Sequence, residues 1–94
     1  MNERSSCWVV EAASVEGAFE RRAPFREEHL QRVRKLGAEG ALILAGAFND
    51  MSASLLVFLV ESEDAVEAIV ETDVYWKKGI WTEYTVRKLN RVPL

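Results

Sequence analysis

Apolar and polar positions divide this chain into stretches of two periods, about two residues for strands and about 3.6 for helices. Cys7–Ala12 is short, apolar and β-prone, and predicts a first strand. Ala13–Glu20 contains Ser14 and Gly17 and predicts a loop. A first helix starts near Pro24 and runs to Leu36 or Glu39. Phe25, His29, Leu30, Val33 and Leu36 fall on one apolar arc, with Glu27 and Glu28 at the positive end. Gly37 and Gly40 mark its end. Ala41–Phe48 and Ala53–Val60 are apolar runs of strand length, split only by Asn49-Asp50-Met51-Ser52, and predict an antiparallel hairpin. Ser62 is placed to cap a second helix whose stripe is Ala65, Val66, Ile69 and Val70. Asp73–Gly79 breaks that stripe and predicts a turn or short helical piece. Trp81–Leu89 predicts a last strand, with Thr82, Tyr84 and Val86 on one side.

The predicted order is β-α-β-β-α-β, an α+β fold with a four-stranded antiparallel sheet. With right-handed crossovers the two helices share one sheet face. The other face is then bare, although Ala41–Phe48 and Ala53–Val60 carry apolar side chains on both sides. A homodimer packed through its sheet faces would cover it. A monomer with a partly open apolar cleft is the alternative.

Length and composition narrow the choice. Ninety-four residues make one domain, residues 1–94, with a small core. Three Trp, four Phe and two Tyr favour further burial by association. A net charge of -3 without a basic tract argues against nucleic acid. Arg21-Arg22 and Arg32, Arg34 and Lys35 read as solvated faces. Met1–Ser6 has no apolar stretch before a cleavage site, and no apolar run is long enough to span a membrane. The single cysteine, Cys7, excludes an internal disulfide and a cysteine-rich metal site, and reads as a buried small hydrophobe. A cytoplasmic protein is expected.

Candidate chemistry centres on the only histidine. His29 sits on the apolar face of the first helix and suits proton transfer near neutral pH. Asp73 could accept its ring N–H and set the tautomer. The structural alternatives are a satisfied helix histidine and an aspartate that only caps the short piece after it. Arg26, one turn before His29, could meet the charge of a carboxylate or enolate; a link to a remote acid is the alternative. Tyr75, Trp76, Trp81 and Tyr84 could line a recess, while Trp8, Trp76 and Trp81 also suit a core or a dimer interface. Gly40 and Gly46 fit turn geometry and close packing; no nucleotide-binding glycine fingerprint is present. No metal is expected.

Several segments resemble the YCII-related (YciI-like) family of the ferredoxin-like, dimeric α/β-barrel group. Arg26-Glu27-Glu28-His29-Leu30 is similar to its Arg-x-x-His-Leu motif. Gly40, the apolar strand after it and Ala45-Gly46 are similar to its Gly-x-Leu…Gly-Pro segment. Asp73 and Tyr75 resemble its Asp-Pro-Tyr/Phe motif, and Gly79 the glycine that follows. The resemblance implies a His29–Asp73 active-site pair; beside it, Arg26, Tyr75, Gly46 and Tyr84 are expected on the binding side. It also implies kinship with muconolactone isomerases and chloromuconolactone dehalogenases, which use no metal or organic cofactor. Ala47 and Val74 stand where the family has prolines, and the hairpin at Asn49–Ser52 is shorter than in many members. Val74 lacks the fixed φ of proline, which predicts a less tightly held Asp73 carboxylate. Two functions follow as expectations. One is a cofactor-free isomerase, lyase or dehalogenase acting on a small organic acid. The other is a non-catalytic dimeric binding or accessory protein.

Overall fold

Turn chemistry and hydrophobic period together account for the layout seen in the computed structural model, which describes residues 6–94. All but Ser6 of the segment judged to lack a leader therefore lies outside the described residues. The elements are β1 (Ser6–Ser14), α1 (Ala18–Arg21), a 3-10 turn (Ala23–Phe25), α2 (Arg26–Ala38), β2 (Leu42–Ala47), β3 (Ala53–Phe58), α3 (Glu63–Glu71), α4 (Val74–Lys77) and β4 (Trp81–Asn90). The strand–helix order matches the expected one. Two details differ: α1 occupies part of the expected loop, and the first long helix is preceded by the 3-10 turn that contains Pro24.

The four strands form one antiparallel sheet in the order β2-β3-β1-β4. The β2–β3 turn is held by Asp50, whose Oδ1 accepts from the Ser52 amide at 3.0 Å and the Ser52 hydroxyl at 2.7 Å. Val10 and Ala12 of β1 and Leu56 and Phe58 of β3 are buried with Val66 and Val70 of α3; Val33 and Leu36 of α2 pack against them. The helices thus cover one face of the sheet. Cys7 is buried, as expected.

The expected barrel does not form. The sheet is open, with β2 and β4 as its two edges. Closure requires the edge strands to meet, and about eight strands are needed to wrap a packed interior. Four strands with short connections leave the edges apart. No helix among the described residues is long and apolar enough to cross a membrane.

Two glycines set the approach to the site. Gly40 has φ 81°, a left-handed conformation that ends α2. The Ala41 amide donates to Leu36 O at 3.0 Å and the Gly40 amide to Gly37 O at 3.1 Å. Gly79, at φ 70°, ends α4 in the same way, with Ile80 N donating to Tyr75 O at 2.9 Å. That turn delivers Trp81 to the start of β4 beside the residues described next.

Candidate active site

Asp73 joins local structure to the site. It is the N-cap of α4, and its Oδ1 accepts from the Tyr75 amide at 2.9 Å. The same carboxylate meets His29 Nδ1 at 2.9 Å through Oδ1 and 3.1 Å through Oδ2. Capping and pairing therefore coexist. Asp73 is only 3% exposed, so its oxygens depend on protein donors. A third donor is Arg32, whose Nη1 lies 3.4 Å from Oδ2. Arg32 also donates to Ile69 O at 2.7 Å and to the Thr72 hydroxyl at 2.6 Å, placing its charge at the C-terminal end of α3. With three donors on it, the carboxylate is held without the proline that Val74 replaces.

Arg32 departs from the solvated face expected of it. The sequence carries a signal that could have found it: position 32 lies three residues after His29, on the same helix face.

The contact with Asp73 favours the tautomer in which His29 Nδ1 carries the hydrogen and Nε2 is left to accept a proton. The ring is stacked on Tyr75 with centroids 3.9 Å apart and planes 10° apart. Trp81 stands edge-on to both, 5.5 Å from His29 and 5.6 Å from Tyr75. These contacts fix the plane of the imidazole as well as its tautomer.

His29, Tyr75 and Trp81 border a cavity of about 250 Å³, together with Arg22, Arg26 and Gly46. Leu30, Val33 and Leu56 give it apolar walls. Arg26 is exposed at its rim and makes no ion pair with a described residue. Gly46 lies on β2, where an added Cβ would meet nothing within 4 Å; close packing within the chain is not its reason. Arg22 is half-buried rather than solvated. Positions 22, 26 and 29 are spaced by four and three residues, a helical spacing that reaches back beyond the start of α2.

The structure places Tyr84 elsewhere. It does not border this cavity; its hydroxyl donates to Glu71 Oε2 at 2.5 Å and its ring packs edge-on against Trp76 at 5.2 Å. Burial and the carboxylate of Glu71 push the Tyr84 hydroxyl above its ordinary pKa. Burial also pushes the Tyr75 hydroxyl up, against the opposing charges of Arg22 and Arg26. No group of three or more His, Cys, Asp or Glu side chains gathers in a metal-binding arrangement among the described residues.

Residues 6–90 match the model of the YCII-related domain. The chain belongs to the YCII-related family. Its relatives include an uncharacterised protein of Haemophilus influenzae, 26% identical over 95 residues that span 90% of this chain and 97% of that one. Among solved structures, this YCII-related chain is similar to the 5-chloro-2-hydroxyhydroquinone dehydrochlorinase of Burkholderia phenoliruptrix in complex with 2,5-dihydroxybenzoquinone. The TM-score is 0.75 at 23% identity, covering 86% of this chain and 90% of that chain. A more distant likeness is to Rv0793 of Mycobacterium tuberculosis, with a TM-score of 0.51 at 14% identity, covering 95% and 94% of the two chains. Both likenesses concern the fold.

Proposed function

We propose that this YCII-related protein is an acid–base enzyme acting on a small organic acid, with His29 as the proton carrier and Asp73 as its orienting carboxylate. One observation carries the reading. His29 Nδ1 lies 2.9 and 3.1 Å from the two oxygens of a buried carboxylate while the ring borders a cavity. That arrangement fixes the tautomer and leaves Nε2 free to act as the base.

The proposed step begins with Nε2 taking a proton from carbon next to a carbonyl group. The C–H electron pair becomes a C=C bond, and the carbonyl π pair moves onto oxygen to give an enolate. Where the enolate is conjugated with a second C=C bond, return of that proton to the far carbon isomerises the substrate. In elimination the carbonyl re-forms, the C=C pair shifts to the next bond and expels the anionic leaving group there, and the proton on Nε2 passes to solvent. Either outcome balances with proton transfer alone, so we propose a reaction free of metal and organic cofactor. The dehydrochlorinase activity named for the solved relative supports elimination, and the 2,5-dihydroxybenzoquinone bound to that protein supports a one-ring substrate. Arg26 at the rim meets the negative charge of the incoming acid.

The uncovered sheet face supports a homodimer as the working form. Leu44 is 55% exposed on β2 and Leu89 48% exposed on β4, and strand alternation turns both away from the helices. A single buried Cys7 fits a reducing compartment such as the cytoplasm.

The test is a screen of small carboxylates, lactones and enolisable acids against wild type and His29→Gln. Turnover by wild type that falls about 10²–10⁴-fold in His29→Gln is the expected result. A ligand bound equally by both, with no turnover by wild type, would favour a binding module. Strict metal dependence of turnover would overturn the cofactor-free reaction.

A further inference from the structure

The Arg22 side chain lies close enough to the Tyr75 hydroxyl to act on it, yet Arg22 Nε and Tyr75 Oη each lack a hydrogen-bond partner of good geometry among the described residues. Both are buried, and both side chains border the cavity that holds His29. A buried donor left unmet is costly and calls for an explanation, of which a bound acceptor is one. Tyr75 as a whole is 3% exposed, which shuts its hydroxyl off from bulk water. Nothing in the capping or pairing of Asp73 uses either atom.

Their chemistry is matched. Arg22 carries a permanent positive charge and a fixed N–H donor. The phenol is kept in its neutral, hydrogen-donating form by burial. An acceptor with negative charge would satisfy both; a cation or an apolar group would satisfy neither. The walls add a size limit. A cavity of about 250 Å³ beside the His29–Tyr75 stack and Trp81 suits one planar ring rather than an extended chain.

We propose that Arg22 Nε–H and Tyr75 Oη–H form a two-donor seat for one oxygen of a planar, single-ring oxyanion. This deepens the proton-transfer reading and rests on it for the catalytic consequence. The oxygen seated there is the one that gains the electron pair when His29 removes a proton. Arg26, at the rim, contributes attraction to the whole anion, whereas Arg22 and Tyr75 select where its charge sits. Carboxylate and enolate oxygens share the required chemistry, and separate probes distinguish them.

The experiment measures binding by calorimetry at pH 8, with benzoate as the carboxylate, 2,5-dihydroxybenzoquinone as the enolate-type anion and benzamide as the neutral control. Wild type, Tyr75→Phe and Arg22→Gln are compared. Wild type is expected to prefer at least one anion over benzamide, and each variant to shrink that preference about tenfold or more. The anion that shows the larger loss identifies the oxygen class. Tyr75→Phe keeps the ring stacked on His29 and removes an unmet hydroxyl, so its thermal midpoint without ligand should stay level or rise. A structural hydroxyl bonded within the protein would instead give a lower midpoint. The proposal is overturned if the midpoint falls, if wild type prefers neither anion, or if both variants retain the wild-type preference. Binding at this pH does not require proton transfer. Loss of the seat and loss of His29 chemistry are therefore read separately, the first from these affinities and the second from turnover by His29→Gln.

Discussion

Replacing Asp73 separates its two tasks. Asn at position 73 keeps an oxygen for the Tyr75 amide and remains a good N-cap, but it removes the charge that faces His29 and Arg32. The contact with His29 is short and buried, and a hydrogen bond to a charged group contributes about 1.5–3 kcal/mol. The Arg32 contact adds little, because at 3.4 Å it is long and the Arg32 side chain is 30% exposed. Asp73→Asn should therefore cost about 1.5–3 kcal/mol. Asp73→Ala also loses the cap, about 1 kcal/mol, and leaves the His29 N–H unmet, for a total of about 3–5 kcal/mol. Thermal unfolding resolves the two variants, since each kcal/mol is about 4–8 °C in Tm for a domain of this size. Nitrogen NMR of His29 supplies the second readout. Wild type should carry hydrogen on Nδ1, and Asp73→Asn should shift hydrogen toward Nε2, because the amide can donate to the ring. Equal destabilisation by Asn and Ala, or an unchanged tautomer in Asp73→Asn, would refute the reasoning.

Leu44→Glu places a charge on the helix-free sheet face and should move sedimentation toward the monomer at micromolar concentration; a wild type that is monomeric throughout that range would remove the dimer. The chain has two tyrosines, both with hydroxyls pushed up in the folded state. The unfolded phenol ionises near pH 10, so their contribution is fully present below about pH 10 and is lost as pH rises through the higher folded values. Alkaline difference absorbance should show both phenols titrating late while folded and stability falling above about pH 10. Ordinary titration of both in the native protein would contradict the burial of Tyr75 and the Tyr84–Glu71 bond.

Much of the fold could be read from the chain because local signals agreed with one another. Ser62 caps α3 as expected, its Oγ accepting from Ala65 N at 3.1 Å, and Gly40 and Gly79 end their helices. The His29–Asp73 pair was also legible, since the helix stripe turned position 29 inward and the family resemblance supplied its partner. Arg22 was not. Its approach to the cavity depends on the 3-10 turn at Ala23–Phe25, which carries a helical direction back past Pro24. Arg32 looked solvated because its partners, Ile69, Thr72 and Asp73, are some 40 residues away in sequence. Strand alternation grouped Tyr84 with Thr82 and Val86 without saying which side faces inward; the ring packs against the core beside Trp76 of α4, away from the cavity. Barrel closure came with the resemblance, and four strands cannot supply it within one chain.

The central claim is that His29 moves a proton in this cavity. Its most direct test is deuterium exchange: small enolisable acids, 2,5-dihydroxybenzoquinone among them, are incubated in heavy water with wild type or His29→Gln, and carbon-bound hydrogen is followed by NMR. The account predicts that wild type exchanges hydrogen at carbon next to a carbonyl in at least one of these compounds, and that His29→Gln slows this about 10²-fold or more. Exchange by His29→Gln at the wild-type rate, or none by wild type with any of them, would contradict it.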